Sequence, residues 1–136
     1  MPIRYLLDTN ISSYVIKGKV PYVRENLRRI PMPEVGISAV TAAELRFGVA
    51  RKPGASQLQI AVEEFLVHVE ILPWDSFAAR HYATLRSSLE ASGTPMGNLD
   101  MMIAAQALAA EATLVTHDRV FHRVKGLKLE DWTKPA

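Results

Sequence analysis

The sequence predicts an α/β sandwich, in which a central parallel sheet is covered by helices on both faces. Short apolar segments, typical of buried strands, alternate along the chain with longer segments whose apolar residues recur at helical spacing. Such alternation favours parallel strands joined by right-handed helical crossovers. Functional groups of this class of fold gather beyond the carboxyl ends of the strands.

One domain accounts for the whole chain. At 136 residues, with 49% hydrophobic and 22% charged residues, the chain has the size and composition of a single globular domain. We find no internal repeat, low-complexity tract or linker that would divide it. The prediction is therefore a single domain over residues 1–136.

The first half of the chain is predicted to contain two strands and three helices. Gly18 closes the first helix, Pro21 opens the second, and Pro53 with Gly54 ends the third. In order, these elements are a strand over 3–7, a helix over 11–16, a helix from 21 to the prolines at 31 and 33, a strand over 34–38 (EVGIS), and a helix that begins after Thr41.

The second half is predicted to contain three helices and three strands. Asp75 is placed to cap a helix that runs to Ala91, and Asn98 is placed to cap the Ala-rich helix NLDMMIAAQALAAEA. The remaining elements are a helix over 57–67, a strand over 70–72, a strand in ATLVT, and an edge strand in LKLEDW.

Composition excludes several classes of site and of location. The chain has no cysteine, so it has neither disulfides nor a thiolate metal site nor a thiol nucleophile. No GxxxxGK[ST] loop for nucleotide phosphates occurs. The apolar run at the start is too short for a secretory signal and no segment is long enough to span a membrane, so we expect a cytoplasmic protein.

Basic residues are concentrated in two stretches, although the net charge is only +2. These are candidate phosphate contacts, although an ordinary solvated surface is the favoured explanation for either stretch taken alone. The basic residues are Lys17, Lys19, Arg24, Arg28 and Arg29 in the first stretch and Arg119, Arg123, Lys125 and Lys128 in the second.

Four acids are predicted to face one edge of the sheet. Asp8 follows the first strand, Glu44 lies in the first turn after the second, Asp100 lies in the first turn of the Ala-rich helix, and Asp118 follows the strand in ATLVT. Carboxylates that converge near a buried strand repel each other unless they are protonated or bound to cations. Hard Mg²⁺ or Mn²⁺ suits such oxygen ligands and can activate water for phosphodiester hydrolysis.

Each acid also has an ordinary structural explanation. Asp8 can cap the following helix, and Thr41 with Glu44 has the spacing of a capping box. Asp100 can complement a helix dipole, and Asp118 can accept a local turn hydrogen bond. These explanations suffice for each residue alone, whereas the joint placement of the four favours a shared metal site.

Three other classes of protein are alternatives to one with a metal site. An aspartyl phosphatase would need a second acid two residues after Asp8, where this chain has Asn10. A phosphate-accepting signalling domain has no use for Glu44. A nucleic-acid-binding or protein-binding module without turnover stays open, as does the role of His117, which fits a substrate contact, a metal ligand or a surface residue.

Five short motifs, in order and across nearly the whole chain, resemble those of the PIN domain ribonucleases, and among them the VapC toxins of toxin–antitoxin pairs. The motifs are LLDTN, SAVTAAEL, GTPMGNLDMMIAA, VTHD and LEDW. The resemblance implies a PIN-like three-layer sandwich whose acids Asp8, Glu44, Asp100 and Asp118 bind Mg²⁺. It assigns supporting roles to Asn10, Ser38 and Thr116.

The resemblance also implies an RNA substrate, which for some relatives is tRNA, and partners in the form of a second copy and a VapB-type antitoxin. Setting the four acids aside leaves 10 acidic residues against 16 basic ones, which suits RNA. Apolar helical residues offer a docking surface for the antitoxin, although core packing is the favoured explanation for them. They are Phe47, Val49, Ile60, Phe65 and Leu66.

Overall fold

The computed structural model describes residues 2–136, which form a five-stranded sheet in the order β3-β2-β1-β4-β5. Every neighbouring pair of strands is parallel. The sheet therefore confirms the predicted α/β class. The strands are β1 (Tyr5–Leu7), β2 (Val35–Ser38), β3 (Glu70–Leu72), β4 (Thr113–Val115) and β5 (Leu129–Glu130).

Six α-helices cover the two faces of this sheet, which confirms the predicted three-layer sandwich. They are α1 (Thr9–Lys17), α2 (Pro21–Arg28), α3 (Ala39–Ala50), α4 (Ser56–His68), α5 (Ser76–Ala91) and α6 (Asn98–Ala110). Two 3₁₀ turns, Met32–Glu34 and Arg119–Arg123, precede β2 and follow β4.

Alternation along the strands divides the core into two layers. Leu6 and Leu114 pack among residues of α5 and α6, whereas Leu7 and Val115 pack among residues of α1 to α4. Successive side chains of a strand point to opposite faces, so each strand supplies both layers. The central strands are therefore apolar at consecutive positions, as the sequence predicted.

The central position of β1 determines where its carboxyl end lies. Leu6 is in register with Gly36 of β2 on one side and with Leu114 of β4 on the other. The backbone N–H of Asp8 donates to the carbonyl oxygen of Val115 at 3.0 Å, which continues the pairing by one residue. Asp8 thus lies between neighbouring strands at the edge where their carboxyl ends meet.

Several boundaries differ from the prediction. The predicted strand over 3–7 begins only at Tyr5. Helix α3 begins at Ala39, before Thr41, because the Ser38 hydroxyl accepts the Val40 N–H at 3.0 Å and caps the helix. The residue before α6 is Gly97, so the prediction that Asn98 is its cap was wrong.

Among residues 2–136, no helix combines the length and the apolar character needed to cross a lipid bilayer.

Candidate active site

Asp8 links the central strand to the helix that follows it. It is only 4% exposed, and its Oδ1 accepts the N–H of Ile11 at 2.8 Å, which caps α1. Its Oδ2 accepts the hydroxyl of Thr116 at 2.6 Å. The helix-cap explanation therefore holds for Asp8, and the residue also lies at the carboxyl edge of the sheet.

The charge of Asp8 is poorly compensated. Burial raises the pKa of Asp8 to about 6, and the hydrogen bonds from Thr116 and Ile11 only partly offset this effect. The negative charges of Asp100 and Asp118 raise the pKa further. Only neutral donors bond to this carboxylate, so its negative charge remains costly.

The other acids act on one another in the same region. Burial raises the pKa of Asp100, as do the charges of Asp118 and Glu44. Each of the four acids therefore acts electrostatically on at least one other. Within residues 2–136, however, no three Asp, Glu or His side chains are arranged closely enough to hold one ion as they stand.

Glu44 is held by a residue that the sequence did not single out. The Thr9 hydroxyl donates to Glu44 Oε1 at 2.7 Å and lies 3.1 Å from the Thr41 hydroxyl. Thr41 lies inside α3, so it does not form the capping box that its spacing suggested. Thr9 directly follows Asp8 in the sequence, so a hydroxyl next to a candidate acid was the signal that could have identified it.

Thr116 connects two of the acids. Its hydroxyl donates to Asp8 and accepts the backbone N–H of Asp118 at 3.0 Å. Asp118 in turn accepts the N–H of Val120 at 2.9 Å and caps the following 3₁₀ turn. The strand end at β4 therefore orients the Asp8 carboxylate and the backbone of Asp118 together.

Ser38 and Asn10 do not bond to the acids. The Ser38 hydroxyl donates to Gln106 Oε1 at 2.9 Å, and Gln106 Nε2 donates to the Pro73 carbonyl at 3.2 Å. Ser38 therefore ties the start of α3 to α6. Asn10 is exposed and lines a cleft with Thr9 and Glu44.

His117 belongs to a second polar cluster, beside Asp118. Its Nδ1 lies 2.8 Å from Asp131 Oδ2, and the Thr133 hydroxyl donates to Asp131 Oδ1 at 2.6 Å. Partial burial works against ionisation of Asp131, but the hydrogen bonds from Thr133 and His117 hold its pKa below the usual range. Sequence reasoning did not find this pair, because Asp131 lies 14 residues further along the chain.

The acid cluster suits a hard divalent cation. Its donors are carboxylate oxygens, which Mg²⁺ and Mn²⁺ prefer, and no sulfur ligand exists in the chain. The raised pKa values of Asp8 and Asp100 mark a local lack of positive charge that a cation would supply. The side chains that supply these oxygens are those of Asp8, Glu44, Asp100 and Asp118.

Comparisons with known proteins agree with this arrangement. Residues 5–127 match the model of the PIN domain family. Ribonuclease VapC2 of Rickettsia felis is 36% identical and aligns over 96% of this chain and 98% of its own length. The tRNA(fMet)-specific endonuclease VapC of Shigella flexneri is 35% identical, over 96% and 99% respectively.

Solved structures of similar chains show the same fold. VapBC2 from Rickettsia felis bound to a DNA fragment from its promoter matches with a TM-score of 0.88 at 35% identity, covering 96% of this chain and 99% of that one. DNA-bound VapBC from Salmonella typhimurium matches with a TM-score of 0.89 at 34% identity, covering 96% and 98%. This chain belongs to the PIN domain family, among its VapC ribonucleases.

Proposed function

We propose that this protein is a Mg²⁺-dependent endoribonuclease that acts as the toxin of a type II toxin–antitoxin pair. One observation carries the chemistry: four acids interact electrostatically at the carboxyl edge of the sheet, and Asp8 among them is buried with its pKa raised to about 6. Membership of the VapC ribonucleases supplies the reaction class.

In this proposal, Asp8, Glu44, Asp100 and Asp118 hold the cation, and Mn²⁺ can replace Mg²⁺. When bound, such an ion activates water and stabilises charge on the leaving oxygen of a phosphodiester. The chain itself orients the ligands: Thr116 holds Asp8, and Thr9 holds Glu44. No catalytic histidine is needed.

The proposed substrate is RNA, with tRNA as the first candidate. Relatives at 34% to 36% identity are named ribonucleases or tRNA(fMet)-specific endonucleases. The excess of basic residues outside the acid cluster supports attraction of a polyanion.

The proposed protein partner is a VapB-type antitoxin, because similar chains are solved as VapBC complexes. Core packing had been favoured for the apolar residues of α3 and α4, and it holds for Leu66, which is 6% exposed. It was wrong for Phe47 and Ile60, which are 63% and 66% exposed. These two side chains leave apolar surface for a partner. A homodimer and a cytoplasmic location stay predictions.

The test is cleavage of total cellular RNA by purified protein, with Mg²⁺ or with EDTA, followed by mapping of the cut ends. Asp8→Asn removes one ligand, and Glu64→Gln removes an exposed acid of α4 as the matched control. We expect discrete products in Mg²⁺ with the wild type and the control, and none with EDTA or Asp8→Asn.

Two results would contradict the proposal. Cleavage that survives both EDTA and Asp8→Asn would come from a contaminant or from a different site. Absence of cleavage by well-folded protein would favour the alternative, a nucleic-acid-binding or protein-binding module on the same fold.

A further inference from the structure

A cleft of about 710 Å³ opens beside the acid cluster, at the carboxyl ends of β4 and β5. Thr116 and Asp118 line it, so the cleft continues directly from the proposed metal site. Its other polar walls include His117, Arg119, His122 and Lys134. A strand of nucleic acid that is cut at the acids has to lie along surfaces adjacent to them, and this cleft is one.

Two cations of the cleft are free to meet phosphates. Arg119 and Lys134 are exposed, and neither takes part in an ion pair with another residue in 2–136. The acids of the same wall are already engaged, because Asp131 bonds to His117 and Glu130 accepts the indole N–H of Trp132 at 2.9 Å. Arg119 and Lys134 therefore remain available for phosphates, whereas the carboxylates of Glu130 and Asp131 already have hydrogen-bond donors.

The imidazole of His117 is oriented by its neighbours. Asp131 is an ionised acceptor, so the Nδ1 that lies 2.8 Å from it carries a proton. The Thr133 hydroxyl, 3.2 Å from Nδ1, steadies the same edge of the ring. The other ring nitrogen, Nε2, has no hydrogen-bond partner within the described part of the chain.

Whether Nε2 donates or accepts a hydrogen bond determines which groups can bond to it. With Nδ1 protonated, Nε2 accepts a hydrogen bond when the ring is neutral and donates one when the ring is cationic. A phosphate oxygen fits only the cationic ring, whereas a hydroxyl both donates and accepts and fits either state. The hydroxyl that distinguishes RNA from DNA is the ribose 2′-OH.

We propose that His117, oriented by Asp131 and Thr133, bonds to a ribose 2′-OH of a nucleotide beside the scissile phosphodiester, while Arg119 and Lys134 contact neighbouring phosphates. The inference rests on the proposed function, since it concerns the same RNA. It assigns to this cleft the selection of RNA over DNA, and it makes Asp131 a positioning residue.

The test is a double-mutant cycle between the protein and its substrate. The substrate is an RNA oligonucleotide that spans the mapped cut site, in versions that carry one 2′-deoxynucleotide at each position in turn. For the wild type, we expect one position near the cut at which the deoxy sugar lowers kcat/KM by about three- to tenfold. In His117→Ala, the same replacement should change kcat/KM by less than about twofold.

A second readout does not depend on turnover. The same oligonucleotides are titrated by fluorescence anisotropy against Asp100→Asn protein, with and without His117→Ala. The ribose preference at that position should again require His117. Because this cycle needs no cleavage, a ribose preference that requires His117, found together with a wild-type protein that does not cut RNA, would overturn the proposed function and keep the inference. Cleavage by the wild type without this coupling would do the reverse.

Matched variants separate orientation from folding. Asp131→Ala should weaken the coupling while the melting temperature shows a folded protein, and His81→Ala, an exposed histidine of α5 outside the cleft, should leave the coupling intact. Equal losses on every substrate in His117→Ala, with unchanged deoxy penalties, would overturn the inference. So would a loss of the deoxy penalty in His81→Ala as large as the loss in His117→Ala.

Discussion

Two aspartates at the same edge of the sheet have pKa values that are shifted in opposite directions. Asp8 follows β1, is buried, bonds only to neutral donors and faces other acids, and its pKa is raised to about 6. Asp131 follows β5 and bonds to a histidine and a threonine, and its pKa is lowered. The chain therefore favours the ionised form of Asp131 with its own donors and only partly offsets the cost of ionising Asp8.

The raised pKa of Asp8 means that its ionisation lowers the free energy of unfolding. The pKa of Asp8 is raised to about 6 in the native state, whereas in the unfolded chain it has its ordinary value of 3.8. The folded protein therefore binds more protons in that window, so ionisation of Asp8 lowers stability as pH rises through it. At neutral pH, the loss is at most about 3 kcal/mol.

The largest expected effect separates the two aspartates by activity. Asp8→Asn should reduce RNA cleavage at least a hundredfold, on the order expected for loss of a metal ligand, whereas Asp131→Asn should reduce it only severalfold. Initial rates on one oligonucleotide at saturating Mg²⁺ measure both. Equal losses in the two variants would remove the distinction between a ligand and a positioning residue.

The next expected effect is on stability, where substitutions of Asp8 and Asp131 should change the free energy of unfolding in opposite directions. In EDTA at neutral pH, Asp8→Asn should raise the free energy of unfolding, by about 1 to 3 kcal/mol, because it removes a buried charge and keeps a helix cap. Asp131→Asn should lower it, because it weakens hydrogen bonds to His117 and Thr133. Urea denaturation gives both values, and a destabilised Asp8→Asn protein would contradict the raised pKa.

A pH series sharpens the same contrast. In EDTA, the unfolding free energy of the wild type relative to Asp8→Asn should fall between about pH 4 and pH 6 and stay level above that range. Chemical denaturation at several pH values measures the difference. A difference that rises through this window would show that the native pKa of Asp8 is lowered instead.

Binding of Mg²⁺ should restore the stability that is lost when Asp8 ionises. At a hundred times its dissociation constant, a ligand that binds only the native state adds about 2.7 kcal/mol of stability. We expect a shift of this order in the wild type and a much smaller one in Asp8→Asn, measured as melting temperature against Mg²⁺ concentration. Asp131→Asn is the control and should respond like the wild type.

The smallest expected effect concerns the hydroxyl that holds Glu44. Thr9→Val keeps the shape of the side chain and removes its hydrogen bond to Glu44 Oε1. We expect about a tenfold loss of Mg²⁺ affinity or of cleavage, typical for an outer partner of a metal ligand. Thr9→Ser should restore it, and a full loss in Thr9→Ser would point to packing rather than to the hydroxyl.

Sequence patterns were sufficient for the fold and for the placement of Asp8 and Asp118 at one edge of the sheet, because both follow from strand order. The end of each buried strand marks where Asp8 and Asp118 lie, and parallel strands bring those ends to one edge. The partners of each side chain were harder to predict. His117 meets Asp131 only through the pairing of β4 with β5, and that register is not visible in either segment alone.

For some helical residues, the sequence also did not predict whether the side chain is exposed or buried. Phe47 and Leu66 are both apolar and lie on neighbouring helices, yet one is largely exposed and the other buried. Their spacing is compatible with either face, because α3 and α4 carry apolar residues around much of their circumference. Only the packing of the two helices against the sheet decides which side chains remain outside.

The central place of β1 also sets the timing of assembly during translation. Asp8 is made before the residue whose hydroxyl orients it, because Thr116 lies 108 residues later in the chain. Strand β4, which completes one side of β1, emerges from the ribosome long after β1 and β2. A ribosome that translates this message therefore carries β1 without its β4 neighbour, and Asp8 without Thr116, until β4 has emerged.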